Sequence, residues 1–191
     1  GLIGNIERDC NSARKYWHFV KLMGRSASHI ALECALQCHP NMCLISEEVQ
    51  EKDMSLNDVV DQICKVIAYR ADRGMNYGVV LVPEGLIEFI PAIGRLIDEL
   101  NDLLAFHGDE YKYLSTGEQR EYILNHLSHK NKTTFETLPS DVARQLSLDR
   151  DPHGNVQVSL IETEKLLSRM CTHRLAKWKK EGKFSGKFAS Q

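Results

Sequence analysis

Two charged side chains stand where an open parallel sheet would bind a ligand. Arg25 lies just past the aromatic and β-branched run 17–22, and Glu84 lies just past the apolar run 78–82. A guanidinium offers several donors in a fixed fork and suits a phosphate, whereas a carboxylate accepts hydrogen bonds from sugar hydroxyls. On the residues alone, the pair is either part of a sugar-phosphate site or two surface charges at turns.

The elements that must position these side chains follow a βαβ pattern. Residues 17–22, 42–45 and 78–82 are predicted strands, and the third is continuously apolar, which is typical of a parallel strand covered on both faces. A helix is predicted between Ser26 and Pro40, and a second one opens at a capping box of Ser55 and Asp58. We therefore predict an α/β fold with a three-layer, Rossmann-like parallel sheet that binds its ligand at the carboxyl edge.

The second half of the chain shows helical patterns without strands. The pattern predicts a helix from near Pro91 to residue 104, one long helix over 156–180 and a flexible or unsupported tail over 182–191. In the first half, residues 46–54 are predicted as a charged connection. We predict an α/β core domain over 1–104, followed over 105–191 by a helical insertion and a long C-terminal helix packed on that core.

Composition argues against several classes of partner. A net charge of −2 gives no field that would attract nucleic acid or a membrane surface, and no apolar run approaches the roughly 20 residues that span a bilayer. No secretory signal is visible, and the six cysteines fit reduced thiols in a cytoplasmic protein. Cys34, Cys38, His39 and Cys43 match no usual zinc spacing and are interpreted as small core residues.

Longer blocks of the chain carry a resemblance. The blocks are KYWHFVKLMGRSASHIALECALQCHPN, GVVLVPEGLIEFIP and RDPHGNVQVSLIETEKLLSRM, which lie over 15–41, 78–91 and 150–170. They resemble the pyrophosphate-dependent phosphofructokinases, in particular their long, plant-β-subunit-like branch. The chain looks like an internal piece of such an enzyme, with the fold of its fructose 6-phosphate domain.

The resemblance implies a reversible transfer of a phosphoryl group from pyrophosphate to the 1-hydroxyl of fructose 6-phosphate, with Mg²⁺. It implies that Met23, Gly24 and Arg25 contact fructose 6-phosphate and that Glu84 binds the sugar hydroxyls. It also implies that Arg25 stabilises the phosphoryl group in transfer.

Lys15 and Tyr16 are implied to contact the substrate of a neighbouring subunit. The spacing agrees, because Lys15 lies at the opposite end of the first strand from Arg25, roughly 20 Å away. The implied assembly is a homo-oligomer with a shared site, or a hetero-oligomer with a regulatory subunit.

Two motifs that the resemblance leads one to expect do not occur in these residues. They are the Gly-Gly-Asp-Asp segment that binds pyrophosphate and Mg²⁺, and the Thr-Ile-Asp-Gly-Asp loop that supplies the general base. The Mg²⁺ ligands would therefore come from segments outside this chain, and we expect the isolated chain to be inactive. An ATP-dependent relative and a non-catalytic regulatory subunit remain alternatives, and effectors such as fructose 2,6-bisphosphate remain open.

Overall fold

The computed structural model describes residues 16–23, 41–148 and 150–191. Three strands form one sheet: β1 (Trp17–Leu22), β2 (Met42–Cys43) and β3 (Gly78–Pro83). β3 lies in the middle, in the order β1-β3-β2, and both of its neighbours run parallel to it. The predicted parallel α/β sheet is therefore confirmed. The predicted helix between Ser26 and Pro40 lies outside the described residues.

The central strand is apolar throughout because it is covered on both faces. All six of its residues are buried, as a central parallel strand requires. Its first residue must be small, since a Cβ on Gly78 would lie 2.5 Å from Cζ3 of Trp17 and 2.7 Å from Oδ1 of Asn41. The same Asn41 oxygen accepts a 2.8 Å hydrogen bond from the N–H of Val79, which fixes the start of the strand.

The helices extend over most of the remaining described residues. They are α1 (Ser46–Glu51), α2 (Leu56–Ala71), α3 (Leu86–Phe89), α4 (Pro91–Tyr111), α5 (Thr116–His126), α6 (His129–Thr137), α7 (Ser140–Leu148) and α8 (Thr163–Lys180), with a 3-10 turn at Val158–Leu160. The predicted capping box opens α2, because Ser55 and Asp58 exchange side-chain-to-backbone hydrogen bonds of 3.1 and 3.0 Å.

The chain forms two compact units. The sheet unit comprises the described residues up to Leu86 together with Glu162–Gln191, and the helical unit comprises Ile87–Ile161. In the sheet unit α8 packs against α2 and β1. In the helical unit α6 and α5 pack against α4, and α7 packs against α5. The domain boundary predicted between residues 104 and 105 stays a prediction, and these units do not coincide with it.

Buried thiols join α2 to α8 in the sheet unit. Cys64 and Cys171 are both inaccessible to solvent, and Sγ of Cys64 lies 4.0 Å from the carbonyl oxygen of Cys171. A hydrogen bond with Cys64, together with burial, raises the pKa of the Cys171 thiol, so it stays protonated and unreactive. Both are free cysteines, as expected of small core residues.

Two predictions near the second strand are wrong. β2 ends at Cys43 rather than at residue 45, because Ile45 caps the next helix with an extended backbone. The segment predicted as a charged connection over 46–54 instead contains α1, in which Val49 is buried. Lys52, which caps the end of the helix, forms an ion pair with Glu48. The acidic first turn of α1 suits the positive end of the helix dipole.

The long C-terminal helix is shorter than predicted and the tail is better anchored. The helix begins at Thr163 rather than at residue 156, because the preceding residues form the Arg150–Val156 bridge and the 3-10 turn. Its last turn is basic, as predicted. The tail is not unsupported: Phe184 is buried, and Ser190 forms a parallel bridge with Trp17.

Candidate functional site

The carboxyl ends of β1 and β3 meet at one edge of the sheet. Leu22 lies opposite Pro83, and the N–H of Glu84 donates a 2.9 Å hydrogen bond to the carbonyl of Leu22. The residue after each strand is therefore held beside its counterpart. Met23 is 69% exposed and Glu84 is half-buried. The structure thus brings together the two predicted site residues that it describes at this edge.

A left-handed glycine follows the candidate carboxylate in the turn after β3. Gly85 has φ of 73°, a conformation that side chains with a Cβ rarely adopt. The chain turns there and enters α3 at Leu86, which is completely buried. Because β3 and the first two residues of α3, Leu86 and Ile87, are buried, the backbone of Glu84 is fixed at the edge.

The same edge carries an element that the sequence interpretation missed. Since β2 is also parallel to β3, its carboxyl end faces the same way, and α1 begins there at Ser46. Glu47 and Glu48, which belong to the segment predicted as a charged connection, form the first turn of this helix. The signal for a helix was present in the acidic pair followed by the apolar Val49.

Tyr16 lies at the other end of the first strand. Its carbonyl accepts a 3.3 Å hydrogen bond from the N–H of Gly78, at the start of β3, and its side chain is half-buried. A strand rises about 3.3 Å per residue, so roughly 20 Å separate Tyr16 from Met23. The structure does not bring Tyr16 to the edge that holds Met23 and Glu84.

Three predicted site residues, Lys15, Gly24 and Arg25, lie outside the described residues. The position of Gly24 and Arg25 in the chain places them directly after Met23. Among the residues that the structure describes, no group of three or more His, Cys, Asp or Glu side chains could hold a metal ion.

At the described edge, Glu84 follows β3 and the exposed Met23 follows β1. A carboxylate accepts hydrogen bonds from hydroxyl groups, and a methionine adapts its unbranched chain to an apolar surface. Sugars present both kinds of surface, with hydroxyl groups along the rim and C–H groups on the ring faces. The edge is therefore suited to a small polyhydroxylated ligand at the place where open α/β sheets bind theirs.

Comparison with known proteins identifies the family. The model of the family described as "Phosphofructokinase" matches residues 2–135, which is more than half of the chain. The chain belongs to the phosphofructokinase family. This confirms the resemblance drawn from the three sequence blocks.

Individual relatives match over nearly the whole chain. A pyrophosphate–fructose 6-phosphate 1-phosphotransferase of Porphyromonas gingivalis is 60% identical over 99% of this chain. The protein of the same name from Treponema pallidum is 56% identical over 99%, and subunit beta 2 of the Arabidopsis thaliana phosphotransferase is 51% identical over 98%. The chain spans only 34%, 33% and 32% of the length of these curated relatives.

The structure also bears on membranes. Within 16–23, 41–148 and 150–191, no helix combines the length and the apolar character needed to span a bilayer.

Proposed function

We propose that this chain contributes part of the fructose 6-phosphate site of a pyrophosphate-dependent phosphofructokinase. The observation that supports the proposal is the pairing of Met23 with Glu84 at the carboxyl edge, held by the 2.9 Å bond between the Glu84 N–H and the Leu22 carbonyl. The names of the relatives support pyrophosphate as the phosphoryl donor and fructose 6-phosphate as the acceptor. They favour pyrophosphate over ATP.

Each of these predicted site residues has a role in the proposal. Met23 and Gly24 contact fructose 6-phosphate, and Glu84 accepts hydrogen bonds from its hydroxyl groups. Arg25 binds phosphate and stabilises the charge on the phosphoryl group during transfer, because a guanidinium fork matches phosphate oxygens. In phosphoryl transfer, electrostatic stabilisation and positioning supply most of the catalysis.

Lys15 and Tyr16 serve a neighbouring subunit. Tyr16 lies at the opposite end of β1, which is too far from Glu84 for both to contact one sugar phosphate. The proposed enzyme is therefore an oligomer, either of one kind of subunit or with a regulatory partner. The names of the plant relatives include beta and alpha subunits, which supports an assembly of subunits.

Other segments of the full-length protein supply the remaining chemistry. Mg²⁺, when bound, neutralises charge on the pyrophosphate oxygens. Its ligands and the general base are proposed to lie outside this chain, which lacks both expected motifs. The proposed location of the enzyme is the cytoplasm, where its sugar phosphate substrates are found.

The proposal is tested by the Glu84→Gln substitution in the full-length protein that contains these residues. The side chain keeps its size but loses the charge that strengthens hydrogen bonds to the sugar, and such bonds contribute about 1.5–3 kcal/mol. We expect KM for fructose 6-phosphate to rise by roughly 10- to 100-fold, while KM for pyrophosphate changes little.

Glu51→Gln is the matched control, because Glu51 is an exposed carboxylate of the same unit at the end of α1. It should leave both constants unchanged. An unchanged KM for fructose 6-phosphate in Glu84→Gln would rule out the assigned role of the carboxylate. Absence of pyrophosphate-dependent activity in the unsubstituted full-length protein would rule out the function itself.

A further inference from the structure

The turn between β3 and α3 consists of Glu84 and Gly85, and α3 begins directly after it at Leu86. The φ of 73° at Gly85 lies in the left-handed region, where a Cβ comes too close to the following carbonyl oxygen. Among the described residues beyond its two chain neighbours, a Cβ built on Gly85 would nevertheless meet no atom within 4 Å. The backbone conformation, rather than lack of space, therefore restricts this position to glycine.

The left-handed turn determines where the chain leaves the sheet. Before the turn, the N–H of Glu84 is bonded to the carbonyl of Leu22 at 2.9 Å, so its backbone is still held at the edge. Directly after the turn, Leu86 is completely buried. A different φ at Gly85 has to displace one of these two neighbours. Displacing a buried leucine leaves a cavity, whereas Glu84 is only half-buried, so the displacement falls on Glu84.

We propose that Gly85 is a positioning residue for the substrate, because its left-handed conformation holds Glu84 where the carboxylate can accept hydrogen bonds from sugar hydroxyl groups. The inference rests on the proposed function, in which Glu84 binds fructose 6-phosphate. Gly85 has no side chain of its own for the sugar and acts through Glu84. A residue that disfavours this conformation lowers the fraction of molecules with the native turn, and the affinity for the sugar falls by the same fraction.

Gly85→Ala in the full-length protein that contains these residues tests the proposal. Alanine adds a single carbon, and it disfavours the left-handed conformation by roughly a factor of ten. We expect KM for fructose 6-phosphate to rise about tenfold, while kcat and KM for pyrophosphate stay within about twofold. This pattern is expected when a contact with the sugar is weakened equally before and during the transfer.

Gly85→Asn separates the conformation from the mere presence of a side chain. Asparagine is larger than alanine but adopts the left-handed conformation more readily. Its acidic counterpart already does so in this chain, since Asp53 has φ of 50°. We expect KM for fructose 6-phosphate in Gly85→Asn to return to within about threefold of the value of the unsubstituted protein.

Gly74→Ala is the matched control. Gly74 has φ of 76°, belongs to the same sheet unit, and a Cβ there likewise meets no atom within 4 Å among the described residues beyond its chain neighbours. It lies between α2 and β3, at the amino end of β3 and therefore at the opposite edge from Glu84. The substitution imposes the same kind of backbone strain, but it should leave KM for fructose 6-phosphate unchanged.

Hydrogen exchange measured by mass spectrometry provides a readout that does not depend on activity. In Gly85→Ala the peptide that contains the amide of Glu84 should exchange faster, because relaxation of the turn breaks its bond to the carbonyl of Leu22. Gly85→Asn should exchange there nearly as slowly as the unsubstituted protein, and Gly74→Ala should not differ from it. Unchanged exchange at Glu84 in Gly85→Ala would overturn the positioning role.

The kinetic results that would overturn the proposal are equally specific. They are an unchanged KM for fructose 6-phosphate in Gly85→Ala, an equal rise in Gly85→Asn, and an equal rise in Gly74→Ala, which would indicate a general loss of stability. Glu84→Gln shows which inference has failed. If Glu84→Gln raises this KM and Gly85→Ala does not, the role of Glu84 stands and only that of Gly85 is wrong. If neither variant raises it, the proposed site fails and the positioning role fails with it. A rise in Gly85→Ala alone would show that Gly85 does not act through Glu84.

Discussion

The sheet unit and the helical unit are stabilised in different ways. In the sheet unit a continuous apolar strand is buried between elements that approach it closely, and Gly78 leaves no room for a side chain. In the helical unit, several backbone N–H and C=O groups form hydrogen bonds with side chains that are far from them in the sequence. Both units have buried apolar residues, and the sheet unit also has a polar contact of this kind between Asn41 and Val79. The difference is one of degree: close approach of the backbone is decisive around β3, and polar contacts join several helices of the helical unit.

Three polar contacts of the helical unit illustrate this difference. The carboxylate of Glu99 accepts from the N–H and the hydroxyl of Ser128, at 2.6 and 2.8 Å, and also from the amide of Asn131. The hydroxyl of Tyr111 donates a 2.7 Å bond to the carbonyl of Ser147. Oδ1 of Asn101 accepts from the N–H of Val156 at 2.8 Å. Each joins elements that local sequence patterns cannot connect.

The largest effect is expected from crowding the start of β3. Gly78→Ala would place a Cβ 2.5 Å from the buried ring of Trp17, and overpacking of this kind costs up to about 3 kcal/mol. Urea unfolding followed by tryptophan fluorescence measures the loss, because both tryptophans, Trp17 and Trp178, lie in the sheet unit. Gly117→Ala is the control, since a Cβ there meets nothing within 4 Å. A stability equal to that of the unsubstituted chain would show that the close approach is not needed.

A smaller effect is expected from removing one polar contact of the helical unit. Glu99→Ala leaves the first turn of α6 without its acceptor, because Ser128 makes no side-chain cap of its own. Bonds to a charged group contribute about 1.5–3 kcal/mol, and partial exposure of Glu99 reduces this to about 1–2 kcal/mol. We expect amides of His129–Thr137 to exchange roughly tenfold faster, measured by mass spectrometry.

Asp98→Ala is the matched control for that substitution. Asp98 is the preceding residue of α4 and is exposed, so the exchange rates in α6 should not change. Equal acceleration in both variants would mean that general loss of negative charge on α4, rather than the specific contact with Ser128 and Asn131, destabilises α6.

The same contrast explains what the sequence could predict. β1, β3 and the capping box of α2 follow from local signals: strand-forming runs, and Ser55 followed by Asp58. α6 has no such local signal, because the acceptor at its first turn is Glu99, 29 residues earlier in the chain. α4 continues to Tyr111, beyond the predicted end at residue 104, and the hydroxyl of Tyr111 bonds to distant Ser147.

The candidate site was predictable for a different reason. The residue that follows a parallel strand can be read from its place in the sequence. Met23 and Glu84 could therefore be assigned to the same edge of the sheet before the structure was known. The opposite location of Tyr16 followed from strand length alone. The anchoring of the tail could not be predicted, because it depends on contacts of Gly186 and Lys187 with Ala71 and Asn76, which lie more than a hundred residues earlier.

The smallest expected effect is a pH dependence that belongs to the helical unit. Partial burial by itself raises the pKa of Glu99, but the hydrogen bonds from Asn131 and Ser128 outweigh it and hold the pKa below the ordinary value of 4.5. Because the folded state holds the proton less tightly than the unfolded state, Glu99 contributes stability above pH 4.5 and loses it as the pH falls through its folded pKa. Hydrogen exchange in α6, corrected for the intrinsic effect of pH, should therefore accelerate as the pH falls below 4.5. Glu99→Ala should remove this acceleration and Asp98→Ala should retain it. An identical profile in all three chains would assign the pH dependence to other carboxylates and weaken the contrast between the two units.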